Sequence, residues 1–460
     1  RLAALPRLRV IVTLGGVFII STLIGLLTSG IEVKMENLRK GRSQVLESGH
    51  TVILGWSEQI FTILSEITAA NDNHKRSCIV VLADKDKVEM EDEIREKLGK
   101  NAHTAIVCRS GKPIDLNDLD RASVQTSKAI VILRPDGEDP DAETIKTILA
   151  VTNNPHRRSQ PYHIVAEICD EKNLEIARLV GKDEVELILT DHLISRIIAQ
   201  TCRQSGLSIV YSDLLDYGGN EIYFKFEPAL VGKTFGEALM AYDTSAVLGV
   251  FNPARGARLN PPMDTIIGPD DQIVAVSEDD DTLLLYKGTP QFQPELIVSR
   301  PHLMHAAEKT LILGWNARAP FIINELDQYV SPGSVVKVVA NCVEGAAELA
   351  RWCCALKNIQ VEFEERETTD RRELDALAPQ TYGQVVVLAY SDTLNIQEAD
   401  ARTLMTLLHL RDIATRTGSK FVIVSEMLDL QNRNLAEVTH ADDFIVSDRL
   451  ISLLFAQISE

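Results

Sequence analysis

The sequence lacks an excess of positive charge. Its 460 residues include 47 Lys and Arg against 66 Asp and Glu, so the formal net charge is −19 and the pI is near 5.1. A nucleic-acid partner requires a basic face, and this balance argues against one. The acidity is compatible with cation binding, although many soluble proteins are equally acidic. The apolar and charged fractions, 45% and 25%, are those of a globular chain with several domains.

The sequence also lacks cysteine pairs and catalytic sets. None of its seven cysteines forms a C-x-x-C motif, and the neighbours Cys353 and Cys354 are a pair of the kind that rarely forms a disulfide. We therefore expect free thiols in a reducing compartment. Histidines such as His192 and His302 have no partners at the spacing of a triad or a metal site. We predict no enzyme, no catalytic residue and no cofactor-binding residue.

One stretch of the chain occurs twice. The segment TVILGW at 51–56 returns as TLILGW at 310–315, an offset of 259 (310 minus 51). At the same offset, Asp141 and Glu167 correspond to Asp400 and Glu426. A register that holds over more than a hundred residues indicates a duplicated domain.

Short apolar runs alternate with amphipathic helices in both copies, which predicts two Rossmann-like α/β repeats with parallel sheets. In the helix expected at 59–70, Ile60, Ile63, Leu64 and Ile67 share one face. Between the copies, alternating runs and turns rich in Gly, Pro and Asn predict a small β-rich lobe. The strands are expected near 51–55, 78–83, 104–108, 129–133, 164–167 and 185–189 in the first copy, near 221–227, 247–251 and 272–276 in the lobe, and near 311–313, 335–339, 361–363, 385–388, 421–424 and 444–446 in the second copy.

Neither copy contains the glycine-rich loop of a dinucleotide-binding site. That loop, G-x-G-x-x-G, lets the backbone approach the pyrophosphate. The first turn has only Gly55, followed by the bulky Trp56 and the anionic Glu58, and the second turn has only Gly314. Dinucleotide binding is therefore disfavoured in both repeats.

Residues 10–31 contain no charged side chain. As a helix these 22 residues would span roughly 33 Å, enough to cross a hydrocarbon core of about 30 Å. A signal peptide fits poorly because no A-x-A-like site follows; a buried helix of a soluble domain is the stronger alternative. Gly15, Gly16 and Gly25 fit a pore-lining or helix-contacting face, and equally fit tolerated small residues. We predict a pore-lining transmembrane helix.

These patterns divide the chain into a transmembrane helix at 1–31, a connector at 32–49, a first Rossmann-like lobe at 50–206, a β-rich lobe with linker at 207–300, and a second Rossmann-like lobe at 301–460. The sequence starts with Arg1 rather than Met, and no β-rich lobe follows the second copy. We therefore expect it to be a piece of a longer protein.

An acidic loop follows the fourth strand of the first copy. It places five carboxylates within eight residues, Asp136, Glu138, Asp139, Asp141 and Glu143. Ligands of open α/β sheets bind at this edge, and Ca²⁺ takes six to eight oxygen ligands. A solvated loop with an acidic helix start accounts for the same residues, so the residues alone leave both readings open. The loop lacks the glycine and the spacing of an EF-hand.

A spanning segment, a duplicated Rossmann repeat without a phosphate loop and an inserted β lobe together resemble a cation channel with tandem RCK (regulator of K⁺ conductance) domains. Residues 191–200 resemble the crossover helix through which RCK domains pair. Residues 14–56, with LRPDGEDPD at 133–141, resemble the CASTOR/POLLUX family of plant nuclear-envelope channels, over essentially the whole chain. The resemblance implies a homotetramer whose RCK domains form a gating ring. It also implies a multi-pass protein of the nuclear envelope membrane, with Ca²⁺ or K⁺ permeating, in nuclear calcium signalling for root symbiosis.

The resemblance further implies that Ca²⁺ is the regulatory ligand. Asp141 and Glu167 match two acids of calcium-gated RCK domains; a third acid is Cys169 here, and Asp170 is expected to substitute. The implied metal ligands are Asp136, Glu138, Asp139, Asp141, Glu143, Glu167 and Asp170.

The second copy keeps Asp400 and Glu426 but has Arg402 in place of Glu143. We therefore expect the second copy to bind Ca²⁺ poorly, so that the first repeat senses and the second assembles the ring. The alternatives are a nucleotide-regulated subunit of a K⁺ channel or transporter, and a membrane-tethered dehydrogenase.

Overall fold

The computed structural model describes residues 16, 18, 20–28, 41, 43–71, 77–99, 104–135, 137, 139–288, 293, 296, 306–436 and 441–459. The chain forms two compact units, residues 1–188 with 458–460, and residues 189–457. Each unit is described by itself below.

The first unit is built on a six-stranded parallel sheet in the order β3-β2-β1-β4-β5-β6. The helix at 59–70 buries Ile60, Ile63, Leu64 and Ile67, the face expected from the sequence. The other side chains of the core include Val52, Leu54, Val80, Leu82, Ile130, Ile132 and Ile164. The elements are β1 Thr51–Leu54, α1 Gln59–Ala70, β2 Ser77–Ala83, α2 Lys87–Leu98, β3 Thr104–Ser110, α3 Leu116–Arg121, β4 Ala129–Ile132, α4 Pro140–Thr152, β5 Ile164–Ile168, α5 Leu174–Gly181 and β6 Val185–Leu189.

The second unit starts with two helices and a small antiparallel sheet in the order β7-β10-β8-β9. Apolar side chains such as Leu230, Phe235, Ile267 and Ile273 form its core. This sheet confirms the β-rich lobe expected from the sequence. The elements are α6 Thr190–Arg203, α7 Leu207–Leu215, β7 Glu221–Lys225, α8 Phe235–Leu239, β8 Ala246–Asn252, β9 Gly256–Leu259 and β10 Gln272–Ser277.

The rest of the second unit repeats the first sheet. Its six parallel strands follow the order β13-β12-β11-β14-β15-β16, which matches the first sheet strand for strand. The duplication is therefore confirmed in topology as well as in sequence. The elements are β11 Lys309–Leu313, α9 Ala319–Asp327, β12 Ser334–Ala340, α10 Gly345–Trp352, β13 Ile359–Glu365, α11 Arg371–Leu377, β14 Gln384–Val387, α12 Ile396–Thr417, β15 Val422–Met427, α13 Leu430–Ala436, β16 Asp443–Val446 and α14 Ser447–Ser459.

The predicted transmembrane helix at 10–31 lies partly outside the described residues. Within this segment, residues 20–28 are described, and they are helical and exposed. Along the parts of the chain that the structure describes, no helix is both long enough and apolar enough to cross a membrane.

Candidate functional site

The carboxyl edge of each sheet, where the parallel strands end, begins with the same turn. Gly55 and Gly314 both have positive φ angles, 103° and 95°. Each glycine packs on the carbonyl of the neighbouring strand: a Cβ atom would lie 3.3 Å from Leu133 O in the first repeat and 2.2 Å from Leu388 O in the second. A side chain at either position would be strained, so both repeats keep glycine there.

Trp56 fills the space next to the first turn. Its ring packs edge-on against Phe61, with 5.7 Å between ring centroids, and Lys85 Nζ lies 4.6 Å from its centroid. Lys85 in turn pairs with Glu93 at 2.7 Å. In a dinucleotide-binding fold, a glycine backbone would leave this space to a phosphate.

Asp141, an acid at the start of α4, accepts hydrogen bonds from the residues that follow β5. Its Oδ1 accepts the Cys169 backbone N–H at 2.9 Å, and its Oδ2 accepts the Asp170 N–H at 3.0 Å and the Asn173 side-chain amide at 2.8 Å. The carboxylate is almost fully buried. Three donors leave it little capacity for a metal ion, because two carboxylate oxygens offer about four acceptor sites.

Asp400 makes the same three contacts in the second repeat. It accepts the Leu428 and Asp429 backbone N–H groups and the Asn432 side-chain amide, all at 2.9 Å. Burial raises the pKa of this carboxyl despite those donors. The shared aspartate is thus a structural cap common to both repeats.

The other acids of the first repeat have mixed roles. Asp139 caps α4 by accepting the Ala142 N–H at 3.1 Å. This contact agrees with the alternative of a solvated loop with an acidic helix start. Glu143 is exposed on the same helix. Asp170 is exposed and accepts the Lys172 N–H at 3.0 Å, a bond that, with the Lys172 ammonium, lowers the pKa of Asp170.

The predicted ligands Asp136 and Glu138 lie outside the described residues. Within the described ranges, no group of three or more His, Cys, Asp and Glu residues is arranged to hold a metal ion. Among the described acids of the first edge, Asp139 and Glu143 are exposed and Glu167 is buried beside Arg134, so a cation held there would need further oxygen ligands.

The two repeats differ most at the glutamate that ends the fifth strand. Glu167 is 1% exposed, and its Oε1 lies 3.7 Å from Nη1 of Arg134, whose side chain is 49% exposed. Glu426 is equally buried, and several neighbouring groups donate hydrogen bonds to its carboxylate. Arg318 donates to one of its oxygens, and Ser447 Oγ contacts the same oxygen at 2.8 Å.

The rest of the Glu426 site comes from the turn after β11 and the end of β14. Asn316 Nδ2 donates to Glu426 Oε2 at 2.7 Å, and the Ala389 N–H does so at 3.3 Å. Arg318 also contacts Asp191, at the start of α6, with 3.2 Å between Nε and Oδ1. Although burial alone would lower it, the pKa of Arg318 is raised by Glu426 and Asp191. The Arg318 guanidinium, with 12% of its side chain exposed, therefore places a positive charge beside both carboxylates.

A second ion pair closes the same edge of the second repeat. Arg402, which replaces Glu143, pairs with Glu367, and its guanidinium carbon lies 5.2 Å from the centroid of the Tyr390 ring. The Tyr390 hydroxyl accepts the Asn341 N–H at 3.0 Å. Ion pairs and hydrogen bonds between side chains of the second repeat therefore occupy its carboxyl edge.

The sequence reasoning missed the residues that make this difference, Arg134, Arg318, Glu367 and Tyr390. The signal was present in the aligned repeats, because the offset of 259 places Arg318 opposite Gln59. Because Arg318 is charged and Gln59 is not, the buried glutamates of the two repeats must have different partners.

Two family models match the chain. Residues 47–163 match the calcium-activated potassium channel slowpoke-like RCK domain, and residues 191–292 match "Castor and Pollux, part of voltage-gated ion channel". In fold, the chain is similar to the human SLO3 gating ring, with a TM-score of 0.60 and 15% identity over 89% of this chain and 82% of that chain. Residues 47–163 are therefore similar to an RCK domain, and the two sheets share the α/β fold of that gating ring.

Two named relatives cover nearly all of the chain. The probable ion channel CASTOR of Oryza sativa subsp. japonica is 31% identical over 99% of this chain and 55% of its own length. The probable ion channel POLLUX of Arabidopsis thaliana is 30% identical over 98% of this chain and 59% of its own length. The chain is therefore similar to the CASTOR/POLLUX family over nearly its whole length, and it spans between half and three fifths of these relatives.

Proposed function

We propose that the chain is part of a Ca²⁺-regulated cation channel subunit. Its tandem RCK domains assemble with three further copies into a homotetrameric gating ring, and Ca²⁺ binds at the carboxyl edge of the first repeat. The full-length protein crosses the nuclear envelope membrane several times and acts in nuclear calcium signalling for root symbiosis. The similarity to the CASTOR/POLLUX family and the names of the relatives support the channel activity.

One observation carries the placement of the Ca²⁺ site. Two equally buried glutamates end the fifth strands, and each has an arginine beside it. The arginine that pairs with Glu426 is 12% exposed, whereas Arg134, 3.7 Å from Glu167, is 49% exposed. A buried carboxylate is costly unless it is paired, and an added cation can meet that need.

The link from this edge to the pore runs through the end of the predicted connector. Backbone bonds at 2.8 Å join the Val45 N–H to Arg121 O and the Gly49 N–H to Thr126 O. The Ser123 hydroxyl donates to Val45 O at 2.6 Å. Residues 43–49 are thus fixed to the first unit, so a ring movement would pull on the connector. Ca²⁺ biases that movement by binding one ring conformation better than another.

A Ca²⁺ titration of the full chain in mild detergent tests this function. The variant Asp139→Asn with Glu143→Gln removes two carboxylates, and Asn still caps a helix. The matched control is Glu398→Gln, because Glu398 occupies the position of Asp139 in the second repeat (398 minus 259) and is also exposed. We expect the wild type to bind Ca²⁺ and the double variant to lose about 10- to 100-fold in affinity. Absence of Ca²⁺ binding by the wild type would contradict the proposal.

The assembly is tested separately. We expect the purified chain to have the mass of four copies in light-scattering measurements. A monomer or dimer at micromolar concentration would contradict the gating ring.

A further inference from the structure

The turn after β1 holds two buried oxygen atoms without a partner. No described residue donates a hydrogen bond to Gln59 Oε1, and Ser57 Oγ makes none with the described part of the chain. Gln59 is only 9% exposed. An unmet buried acceptor costs about 1–3 kcal/mol, so a native protein normally supplies a donor, a water or a cation.

The second repeat offers a comparison for these two positions. The offset of 259 places Ser57 opposite Asn316 and Gln59 opposite Arg318. The two turns also share their closing bond, from the Ile60 N–H to Ser57 O at 3.1 Å and from the Ala319 N–H to Asn316 O at 3.0 Å.

In the second repeat, the side chains of Asn316 and Arg318 converge on Glu426. Ser57 and Gln59 occupy the equivalent positions of the first turn, and Glu167 occupies the position of Glu426. Arg318 can only donate, whereas the unpartnered atom of Gln59 is an acceptor.

We propose that a metal cation, bound by Ser57 Oγ, Gln59 Oε1 and the Glu167 carboxylate, takes in the first repeat the place that the Arg318 guanidinium takes in the second. The inference rests on the proposed function, which makes this cation Ca²⁺. Carboxylate, amide and hydroxyl oxygens suit a hard cation, and water or carbonyl oxygens complete its coordination. The anchoring ligand of the regulatory site is then Glu167, with support from the first turn rather than from Asp141.

Arg134 is the competing cation at this position. Its guanidinium reaches Glu167 from a half-exposed side chain, so it can move outward when a metal ion binds. Two cations at one carboxylate repel each other. Removing the charge of Arg134 should therefore raise Ca²⁺ affinity, whereas adding an arginine at position 59 should lower it.

The test transplants the second-repeat residue into the first. In calorimetric Ca²⁺ titrations of the full chain in detergent, Gln59→Arg is compared with Gln44→Arg, which places the same charge at an exposed glutamine of the same unit. We expect Gln59→Arg to lower Ca²⁺ affinity by about 100-fold, the upper end of the losses seen when metal sites are disturbed, and Gln44→Arg to leave it unchanged. We expect Arg134→Gln to raise the affinity, which keeps the test decisive if Gln59→Arg does not fold.

The outcomes separate this inference from the proposed function. Wild type that binds Ca²⁺, with Gln59→Arg within about threefold of it, would overturn the inference and leave the function standing. The same holds if Arg134→Gln lowers the affinity, because Arg134 would then support the site rather than compete for it. Wild type that binds no Ca²⁺ overturns both.

Discussion

The second repeat pairs two acids at its carboxyl edge with arginines, and the first repeat has uncharged or acidic residues at the positions of both arginines. In the second, Arg318 neutralises Glu426 and Arg402 pairs with Glu367. In the first, Gln59 and Glu143 occupy the positions of the two arginines. Both arginines are therefore absent from the copy that keeps the acidic loop.

What the two edges share is equally informative. The contacts of Asp141 and Asp400 agree within 0.1 Å for each of the three donors. This cap supports the sheet edge in both copies. The acids that both repeats share therefore have a structural role, and the residues that differ between the repeats are the ones that bear on ligand binding. Four changes would test this comparison.

The largest effect is expected from Arg318→Ala. The change leaves Glu426 buried and without its cation, which costs about 3–5 kcal/mol. Its counterpart Gln59→Ala removes no charge and should cost about 1 kcal/mol or less. Denaturant-induced unfolding of the full chain measures both, with the exposed Arg372→Ala as the control. Equal losses for positions 59 and 318 would break the comparison.

Asp141→Ala and Asp400→Ala should each cost about 2–4 kcal/mol, because each change leaves buried backbone N–H groups without an acceptor. The two losses should be similar, since the caps are alike. The control is Asp183→Ala at an exposed position. Midpoints of thermal unfolding in the absence of Ca²⁺ report the effect. A loss at Asp400 alone would show that Asp141 is not a structural cap.

The ion pair of Glu367 with Arg402, a position that is Glu143 in the first repeat, should make the stability of the protein depend on pH. Burial alone would raise the pKa of Glu367, but hydrogen bonds from Arg402, Thr369 and Asn341 lower it from 4.5 to about 2. A lowered folded-state pKa adds stability above about pH 4.5, which is lost as the pH falls towards 2. The side chain is 36% exposed, so solvent screening reduces the contribution to about 1 kcal/mol. Arg402→Gln should remove this part of the acid-unfolding curve; an unchanged curve would show that the pair adds no stability.

The smallest effect is expected from Tyr390→Phe. The change removes the hydroxyl that accepts the Asn341 N–H and should cost about 0.5 kcal/mol. Tyr286→Phe, at a more exposed tyrosine, should be neutral. Differential scanning calorimetry resolves the two, and equal shifts would mean that Tyr390 contributes only its ring.

The sheets could be predicted from the sequence because their strands are continuous apolar runs between turns. All twelve strands of the two parallel sheets lie where those runs are, with ends shifted by a few residues. The strand Gly256–Leu259 was not predicted, since all four of its residues are exposed and carry no apolar alternation.

The edge was harder to predict than the sheets. The acids could be found from the sequence, but the hydrogen bonds of Asp141 could not, because its partners at Cys169 and Asp170 are backbone N–H groups that any residue type supplies. The counter-ions of Glu167 and Glu426 also come from different strand ends, Arg134 after β4 and Arg318 after β11. Sequence spacing does not show which side chain reaches a carboxylate.

The contact between Asp191 and Arg318 has a practical consequence for protein dissection. The helix α6 follows the first sheet in sequence, yet its first turn supplies a carboxylate to a buried arginine of the second unit. A recombinant fragment cut at residue 301 would carry Arg318 without that carboxylate. One that begins at residue 189 keeps it, and is therefore the better starting point for crystallisation or calorimetry of the second unit.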